Sequence, residues 1–263
     1  AVIGASYSGV KSMTSTSGPG FSLMQENIGL AAMTETPLVL VNVMRGGPST
    51  GQPTKTGQQD VMQAKWGSHG DYEIIALAPA SVQEMFDLTI EAFNLSEQYR
   101  CPALVMADEI IGHLRERLVI PEPDEIKIID RKKPSDSPED YQPFRSDADL
   151  IPPMACLGEG YRFYATGLTH DETGHPQTDS AEEQTKLVKR LCDKIRNNAD
   201  KIVKVRREFL DDMDICVIAY GSVARSAIAA VRRARDQGIK AGFLGLTTLW
   251  PFPEKEIEKV GQQ

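Results

Sequence analysis

The sequence Leu38-Val-Leu-Val-Asn-Val43, introduced by Pro37, contains no charged residue and runs directly into a glycine-rich loop. Its apolar residues are nearly continuous, so a strand built from them suits water on neither face. Strands of this kind belong to parallel sheets, in which helices cover both faces. We therefore predict that this stretch is a buried strand of an α/β protein.

Strand and helix signals alternate on the amino-terminal side of this run. Residues Val10–Thr16 are β-prone and end in the breaker cluster Ser17-Gly-Pro-Gly20. Residues Phe21–Met33 then combine apolar and small side chains, which is typical of a buried helix. A strand–helix–strand unit is therefore predicted to end in the apolar run.

A second unit follows on the carboxyl-terminal side. Residues Ile74–Leu77 indicate a short strand, and Ser81 with Glu84 predicts a capping box that opens a helix ending near Tyr99. The apolar stretch Ala103–Met106 then predicts another strand. Strands and helices that alternate with short joints indicate an α/β fold with a parallel sheet.

The character of the chain changes between Pro121 and Gln177, where Pro, Gly, Asp and Ser are frequent. Because a structureless loop of this length is unusual inside one domain, we predict an extended connection that lies on a protein surface. Residues Asp214–Tyr220, Ser222–Gln237 and Lys240–Leu246 then predict a further βαβ unit.

The predicted organisation has three parts, which are a domain at 1–118, an extended connection at 119–198 and a smaller α/β domain at 199–263.

Length and charge exclude several classes of function. The 263 residues suffice for one large domain or two modest ones. A net charge of −8 without a basic stripe makes nucleic acids and membrane surfaces poor partners. No apolar run reaches the ~18 residues of a membrane span. The four cysteines include no Cys-x-x-Cys pair, so we predict no metal or iron–sulfur site and a reduced, cytoplasmic location.

The strongest candidate site is the loop that begins Arg45-Gly-Gly-Pro-Ser-Thr-Gly51, directly after the apolar strand. Ligands of open parallel sheets bind outside the carboxyl ends of the strands, where this loop lies. Its glycines permit close backbone approach, and Arg45 offers a bidentate fork for a carboxylate or phosphate. The alternative is a simple turn with a solvated arginine.

The second candidate is the turn Ser17-Gly-Pro-Gly20, at the carboxyl end of the preceding strand. A glycine turn that opens a helix suits an anionic or heterocyclic ligand, because amide N–H groups point outward there. This turn matches no phosphate-binding fingerprint, so a tight βα turn is the alternative reading.

Histidines provide the remaining candidates. His69 lies between glycines on a loop and could contact a substrate or act as an acid or base, although a solvated surface histidine is the commoner case. His170 and His175 lack helical spacing and a third ligand, so we interpret them as loop residues rather than a metal site.

Five motifs resemble those of one known family. They are Thr16-Ser-Gly-Pro-Gly-Phe-Ser-Leu-Met24, Arg45-Gly-Gly-Pro-Ser-Thr-Gly51, Asp60-Val-Met62, Trp66-Gly-Ser-His-Gly-Asp71 and Leu249-Trp-Pro-Phe-Pro253. Together they resemble the alpha subunit of 2-oxoacid:ferredoxin oxidoreductases, with the 2-oxoglutarate type the most similar. The resemblance extends over nearly the whole chain.

This resemblance implies a thiamine diphosphate enzyme that oxidatively decarboxylates a 2-oxoacid, forms acyl-coenzyme A and passes electrons to ferredoxin. It implies a pyrimidine-binding domain followed by a smaller transketolase C-terminal-like domain. The implied partner is a beta subunit that carries Mg²⁺ and an iron–sulfur cluster, with gamma and delta ferredoxin-type subunits as further candidates in a hetero-oligomer.

Site residues follow from the same resemblance. Arg45 is expected to bind the substrate carboxylate and to be the catalytic residue, with Ser49 and Thr50 lining the same loop. The turn of Ser17, Gly18, Pro19 and Gly20 is expected to border the cofactor's aminopyrimidine. Lys55, Lys65 and His69 are candidates for contacting the distal carboxylate of the substrate or for polar gating.

The resemblance also implies two segments upstream of Ala1. One is a Tyr-Pro-Ile-Thr-Pro segment whose threonine touches substrate, and the other is a Glu-Asp-Glu segment whose glutamate activates the pyrimidine. We therefore expect the first βα unit to be missing at Ala1 and the smaller domain to end early at Gln263.

Two other functions remain open at this point. The chain could be a non-catalytic binding or assembly subunit of the same fold, or its substrate could be pyruvate or a branched-chain 2-oxoacid. A stand-alone nucleotide-binding module is disfavoured, because the sequence contains no phosphate-binding fingerprint.

Overall fold

The computed structural model describes residues 1–262, in which strands and helices alternate. The strands are β1 (Met13–Thr16), β2 (Leu38–Gly46), β3 (Gln52–Thr56), β4 (Ile75–Leu77), β5 (Pro102–Asp108), β6 (Val205–Glu208), β7 (Ile215–Tyr220), β8 (Ala241–Leu246) and β9 (Thr248–Trp250). The helices are α1 (Val2–Tyr7), α2 (Pro19–Met33), α3 (Val61–Trp66), α4 (Val82–Tyr99), α5 (Glu109–His113), α6 (Ala181–Arg196), α7 (Ala199–Ile202), α8 (Gly221–Asp236) and α9 (Glu254–Gly261), with a short 3₁₀ helix at Pro123–Glu125.

The larger sheet has the strand order β1-β2-β5-β4-β9, with β3 attached to β2. Strands β1, β2, β5 and β4 are parallel, whereas β9 pairs antiparallel with β4 and β3 antiparallel with β2. The predicted α/β fold with a mainly parallel sheet is confirmed.

Strand β2 shows why the apolar run near residue 38 lies inside this sheet. Leu38 and Leu40 pack into a cluster with α2, whereas Val39 and Val41 pack on the opposite face with α4. All four side chains are buried, and each such burial stabilises the fold by about 1.5–3 kcal/mol. Both faces of the strand are therefore covered, as the near absence of polar positions predicts.

Helix α4 begins at the predicted Ser81, but its capping differs from the prediction. Ser81 Oγ accepts a hydrogen bond from the amide of Glu84 at 3.1 Å. The Glu84 carboxylate accepts from the amide of Ala80 at 2.7 Å rather than from that of Ser81. The reciprocal bond therefore falls one residue earlier than in a capping box.

The smaller sheet has the order β6-β8-β7, with β7 parallel and β6 antiparallel to β8, and α8 packs against it. The predicted βαβ unit is therefore present. Strands β3, β6 and β9 were not predicted, and β3 turns part of the predicted site loop into a hairpin.

Residues 114–180 contain little regular structure. Hydrogen bonds of two buried arginines attach them to the unit of the larger sheet. Arg131 donates to the Glu97 carboxylate at 2.6 and 2.7 Å and to the carbonyl of Ser6 at 2.7 Å. Arg100 donates from Nη1 to the carbonyls of Pro143, Pro152 and Pro153 at 2.9–3.2 Å. Buried backbone carbonyls of the connection thus receive the partners they need.

Among the described residues, none of the helices combines the length and apolarity that crossing a bilayer demands. The same residues contain no group of three or more His, Cys, Asp or Glu side chains arranged to hold a metal ion.

Candidate functional site

The two candidate turns meet at one edge of the larger sheet. Strands β1 and β2 are parallel neighbours, with Thr16 opposite Asn42, so both chains leave the sheet side by side. Ser17 Oγ then donates a hydrogen bond to the carbonyl of Val43 at 2.7 Å. The structure therefore brings the Ser17–Gly20 turn and the Arg45 loop together.

The guanidinium of Arg45 lies directly against Gly18. A Cβ atom added to Gly18 would stand 2.7 Å from Arg45 Nε and 2.8 Å from Cζ, closer than any side chain could fit. Gly18 also has φ of 59° and ψ of −128°, a backbone conformation that only glycine adopts easily. Glycine is thus favoured at this position by the backbone of the turn, and any side chain there would displace the Arg45 guanidinium.

The hydrogen-bonding capacity of Arg45 is largely unused. Its Nη2 donates to the carbonyl of Thr50 at 3.2 Å. Its Nε is buried and has no hydrogen-bond partner among the described residues. A guanidinium with unused donors at the carboxyl edge of a parallel sheet is suited to hold a carboxylate.

Helix α2 begins at this turn, where the amide of Phe21 donates to the carbonyl of Gly18 at 3.0 Å. Its N-cap is Gly18, which supplies no side-chain cap, and Pro19 follows at the first helical position. A Cβ on Gly20 would stand 2.1 Å from Thr16 Oγ1, so only glycine fits there as well. The result is a smooth backbone surface beside Arg45, which a flat heterocycle could approach closely.

The hairpin from Gly47 to Thr56 projects from the sheet. Ser49, Thr50 and Lys55 are exposed on it, as is every residue of β3. Ser49 and Thr54 have φ of 55° and 64°, which is uncommon for residues with a side chain. Such backbone strain tends to collect at binding sites.

Lys65 is not available to a substrate, which corrects its place among the candidates. It is buried, its Nζ donates to the carbonyl of Tyr72 at 2.6 Å, and it forms an ion pair with the buried Glu73. Removing the lysine would leave the buried Glu73 carboxylate with only Arg196 as its cationic partner, so the role of Lys65 is structural.

His69 does not share a site with Arg45 within this chain. A Cβ on Gly29 of α2 would lie 2.2 Å from Ser68 Oγ, which places the neighbouring His69 beside the third turn of that helix. At 1.5 Å per residue, Gly29 is about 15 Å along the helix from Pro19. The histidine is exposed there and distant from the Arg45 loop.

One buried polar residue near the site, Asn42, was not among the sequence candidates, although its partner Asp60 belongs to a quoted motif. Asn42 is fully buried in β2 and its Nδ2 donates to Asp60 Oδ2 at 2.8 Å. Asn42 Oδ1 is buried without a partner in the described chain, which is rare enough to mark a functional region. An asparagine inside an otherwise apolar strand is the one clue the sequence offers.

A joint of five residues, Gln58, Asp108, Tyr220, Gly221 and Ser222, links the two sheets next to the hairpin. Asp108 lies at the end of β5, opposite Met44 of β2, and is fully buried. Burial, together with the nearby carboxylates of Asp108 and Asp60, raises the pKa of Tyr220 to about 12. The Tyr220 hydroxyl is therefore a hydrogen-bond donor at all physiological pH values.

A large groove lies elsewhere, between α3, the end of α6 and α9, and has a volume of about 1180 Å³. Its lysines are paired with carboxylates. Lys255 contacts Asp200 at 2.6 Å, and Lys259 contacts Glu256 at 2.9 Å. Because these charges are already matched, the Arg45 edge is the better candidate for an anionic ligand.

The fold and this edge together define an α/β protein that binds an anionic or heterocyclic ligand where parallel strands end. Residues 1–190 match the family model for pyruvate flavodoxin/ferredoxin oxidoreductase, thiamine diphosphate-binding, and residues 213–263 match pyruvate:ferredoxin oxidoreductase core domain II. The chain belongs to this thiamine diphosphate-binding family of pyruvate flavodoxin/ferredoxin oxidoreductases.

Similar proteins carry more specific names. The chain is 57% identical over its whole length to 2-oxoglutarate synthase subunit KorA of Methanothermobacter thermautotrophicus, of which it covers 69%. It is 35% identical over 98% of its length to ketoisovalerate oxidoreductase subunit VorB of the same organism, covering 66% of that protein.

A solved structure gives the same result. A 2-oxoglutarate:ferredoxin oxidoreductase from Magnetococcus marinus, with 2-oxoglutarate, coenzyme A and succinyl-CoA bound, superposes with a TM-score of 0.90 at 34% identity. The match covers 99% of this chain and 46% of the other. The sequence prediction of a 2-oxoacid:ferredoxin oxidoreductase subunit that uses thiamine diphosphate is confirmed. The domain boundaries and the roles of individual site residues stay predictions.

Proposed function

We propose that this chain is the alpha-type subunit of a 2-oxoglutarate:ferredoxin oxidoreductase, in which Arg45 binds the carboxylate next to the keto group of the substrate. The observation that carries the proposal is the Arg45 guanidinium, which lies against Gly18 with its buried Nε unpartnered. A carboxylate at the exposed part of this guanidinium would supply an acceptor and a favourable charge.

The Ser17–Gly20 turn fits the expected cofactor. Its glycines leave no side chain in the way, and the uncapped start of α2 lies beside the arginine. Thiamine diphosphate supplies the nucleophilic carbon and the electron sink for decarboxylation. This chain's own contribution is to border that cofactor and to hold the 2-oxoacid carboxylate in a fixed orientation, which favours 2-oxoacids over aldehydes.

The hairpin presents exposed polar side chains that could contact the rest of the substrate. Ser49 and Thr50 extend from the same loop as Arg45, and Lys55 is the exposed cation of β3. We assign Lys55 to the distal carboxylate of 2-oxoglutarate, because a second carboxylate needs a second cation. Mg²⁺ and iron–sulfur clusters are assigned to a beta subunit, with gamma and delta ferredoxin-type subunits as further partners in the cytoplasm.

The choice of substrate rests on similarity. Identity to the 2-oxoglutarate synthase subunit is 57%, against 35% to the ketoisovalerate oxidoreductase subunit. The exposed lysine agrees with a dicarboxylate substrate, which pyruvate and branched-chain 2-oxoacids are not.

The test is coenzyme A-dependent ferredoxin reduction by the complete hetero-oligomer with 2-oxoglutarate, pyruvate and 2-oxoisovalerate. We expect 2-oxoglutarate to give the highest kcat/KM, and Arg45→Ala to lower that value about 100-fold, since two hydrogen bonds to a charged group are lost. Arg233→Ala, at an exposed arginine of α8, is the matched control.

Each failure has a distinct meaning. An unchanged kcat/KM in Arg45→Ala would remove this residue from the site. Preference for pyruvate or 2-oxoisovalerate would overturn the substrate assignment. A correctly assembled complex without any turnover would favour the non-catalytic assembly subunit.

A further inference from the structure

Gln58, which follows the hairpin, contacts the start of α8 in the smaller-sheet unit. Gln58 Nε2 donates to the carbonyl of Tyr220 at 3.1 Å, and the Tyr220 hydroxyl donates to the carbonyl of Gln58 at 3.0 Å. Each side chain thus binds the main chain of the other residue, across 162 positions of sequence. A reciprocal exchange of this kind fixes both backbones relative to each other.

Asp108 is the third side chain of the joint. Its carboxylate accepts from Gln58 Nε2 at 3.0 and 3.2 Å and from the amide of Ser222 at 2.6 Å. Because Asp108 is fully buried, these donors are what make its burial tolerable. The carboxylate also occupies the amino-terminal end of α8, where a negative charge is favourable.

Gly221 shows how tightly this joint is packed. Its φ is 59°, and an added Cβ would stand 2.6 Å from Asp108 Oδ2 and 2.8 Å from Gln58 Nε2. A side chain at position 221 would therefore collide with both Asp108 and Gln58. The joint therefore has little freedom to slide.

Gly57, the neighbour of Gln58, packs closely against the peptide group of Arg45. An added Cβ at Gly57 would stand 2.8 Å from the carbonyl carbon of Arg45 and 3.0 Å from the amide of Gly46. Thr56, the next residue back, pairs with Arg45 in the antiparallel ladder. A shift of Gln58 would therefore press directly on the peptide group of Arg45 or release it.

From this contact path we infer that Gln58 and Tyr220 are positioning residues for Arg45, so that the smaller-sheet unit sets the geometry of the substrate carboxylate site. The inference rests on the proposed function of Arg45 and adds residues that touch neither substrate nor cofactor. It assigns the smaller unit a part in substrate binding.

The experiment compares Tyr220→Phe with Tyr141→Phe in the complete enzyme. Both changes remove one hydroxyl that is bonded to backbone, since Tyr141 donates to the carbonyl of Pro153 at 3.1 Å and accepts from the amide of Ala155 at 3.0 Å. Tyr220→Phe should raise KM for 2-oxoglutarate about 3- to 10-fold and leave KM for coenzyme A unchanged, as expected for one lost hydrogen bond. Tyr141→Phe should change neither.

Hydrogen exchange supplies a readout that does not depend on turnover. Backbone amides of residues 52–58 should exchange faster in Tyr220→Phe than in wild type or Tyr141→Phe. Gln58→Met, which keeps the length of the side chain and removes the donor, should give the same pattern. Because Asp108 also loses a donor in Gln58→Met, this variant should raise KM for 2-oxoglutarate more than Tyr220→Phe does.

The outcomes separate this inference from the proposed function. Unchanged KM and unchanged exchange in Tyr220→Phe would overturn the positioning role while a damaged Arg45→Ala enzyme still supported the carboxylate site. An equal rise of KM in Tyr141→Phe would indicate general destabilisation and would also overturn it. If Arg45→Ala were fully active, both the site and its positioning would fail.

Discussion

Two arginines of this chain illustrate the difference between a binding group and a structural one. Arg45 is half-buried at the sheet edge, donates to one carbonyl and keeps a buried Nε without a partner. Arg100 is 1% exposed and donates to four carbonyls, those of Glu35, Pro143, Pro152 and Pro153. We therefore propose that an arginine side chain binds a ligand where its donors are left over, as in Arg45, whereas Arg100 fastens the fold because its donors are used.

The surroundings of Arg100 extend the contrast. Glu35, whose backbone carbonyl it contacts, is fully buried and accepts from Arg190 at 2.6 and 3.0 Å and from Lys194 at 2.5 Å. Burial alone would raise the pKa of Glu35, but Arg190, Lys194 and Arg100 hold it well below its ordinary value. This cluster ties α6 and the connection to the larger sheet.

The largest effect is expected at the centre of the buried cluster. Glu35→Gln would leave three cations without their carboxylate, so the free energy of unfolding should fall by about 4 kcal/mol. Chemical denaturation followed by tryptophan fluorescence measures it. Asp200→Asn is the control, because its ion pair with Lys255 is exposed and should contribute less than about 0.5 kcal/mol. Equal losses of unfolding free energy in Glu35→Gln and Asp200→Asn would show that burial does not determine how much an ion pair contributes to stability.

Exchanging each arginine for lysine tests the comparison directly. Arg100→Lys should cost about 3 kcal/mol of stability, since a single ammonium cannot reach the carbonyls that the fork serves. Arg45→Lys should change stability by less than about 0.5 kcal/mol and lower kcat/KM about 10-fold instead. If the stability losses were reversed, the distinction between the two arginines would be wrong.

Gly18→Ala is expected to have an intermediate effect, because it disturbs the binding arginine through the backbone. The methyl group would collide with Arg45 Nε at 2.7 Å and would force an unfavourable φ of 59°, at a cost of about 2 kcal/mol. KM for the 2-oxoacid should rise as Arg45 moves. Gly70→Ala separates the two causes, since Gly70 has φ of 82° but open space around its Cβ position. A KM increase in both variants would argue against a specific contact.

The smallest effect is the pH dependence of the buried cluster. Because the folded pKa of Glu35 is depressed, its stabilisation is present above the unfolded value of about 4.3 and is lost as pH falls below it. The slope due to this one group is at most about 1.4 kcal/mol per pH unit. The difference in the free energy of unfolding between wild type and Glu35→Gln should therefore shrink as the pH is lowered from 7 to 3, as measured by chemical denaturation. A difference that stays constant with pH would exclude a protonation of Glu35.

The sequence predicts features that depend on neighbouring residues. Strand β2 was predicted because its apolar residues are consecutive, and Arg45 because it follows that strand directly. Strand β3 was missed, since Gln52-Pro-Thr-Lys-Thr56 has no apolar alternation and is held by its pairing with β2 and by a hydrogen bond from Thr56 to Glu109 of α5.

Contacts between distant parts of the chain leave no local pattern to read. The bond between Gln58 and Tyr220 joins residues 162 positions apart, and neither residue stands in a recognisable motif. Lys65 was misassigned for a different reason, because Glu73 is only eight positions away but no sequence pattern shows that the two side chains pair. Asp108 and Tyr220 each lie at the end of a parallel strand, so reasoning from strand ends could have found these two members of the joint.

Strand β9 has a consequence for how the chain is made. It completes the larger sheet beside β4, and Trp250 Nε1 of this strand donates to the carbonyl of Val61 at 2.9 Å, 189 positions earlier. The first half of the chain therefore leaves the ribosome well before its last strand exists, and a pairing between such distant segments forms slowly. Until residue 250 is synthesised, β4 is an open edge that another nascent chain could occupy. Misassembly during synthesis should therefore begin at that edge.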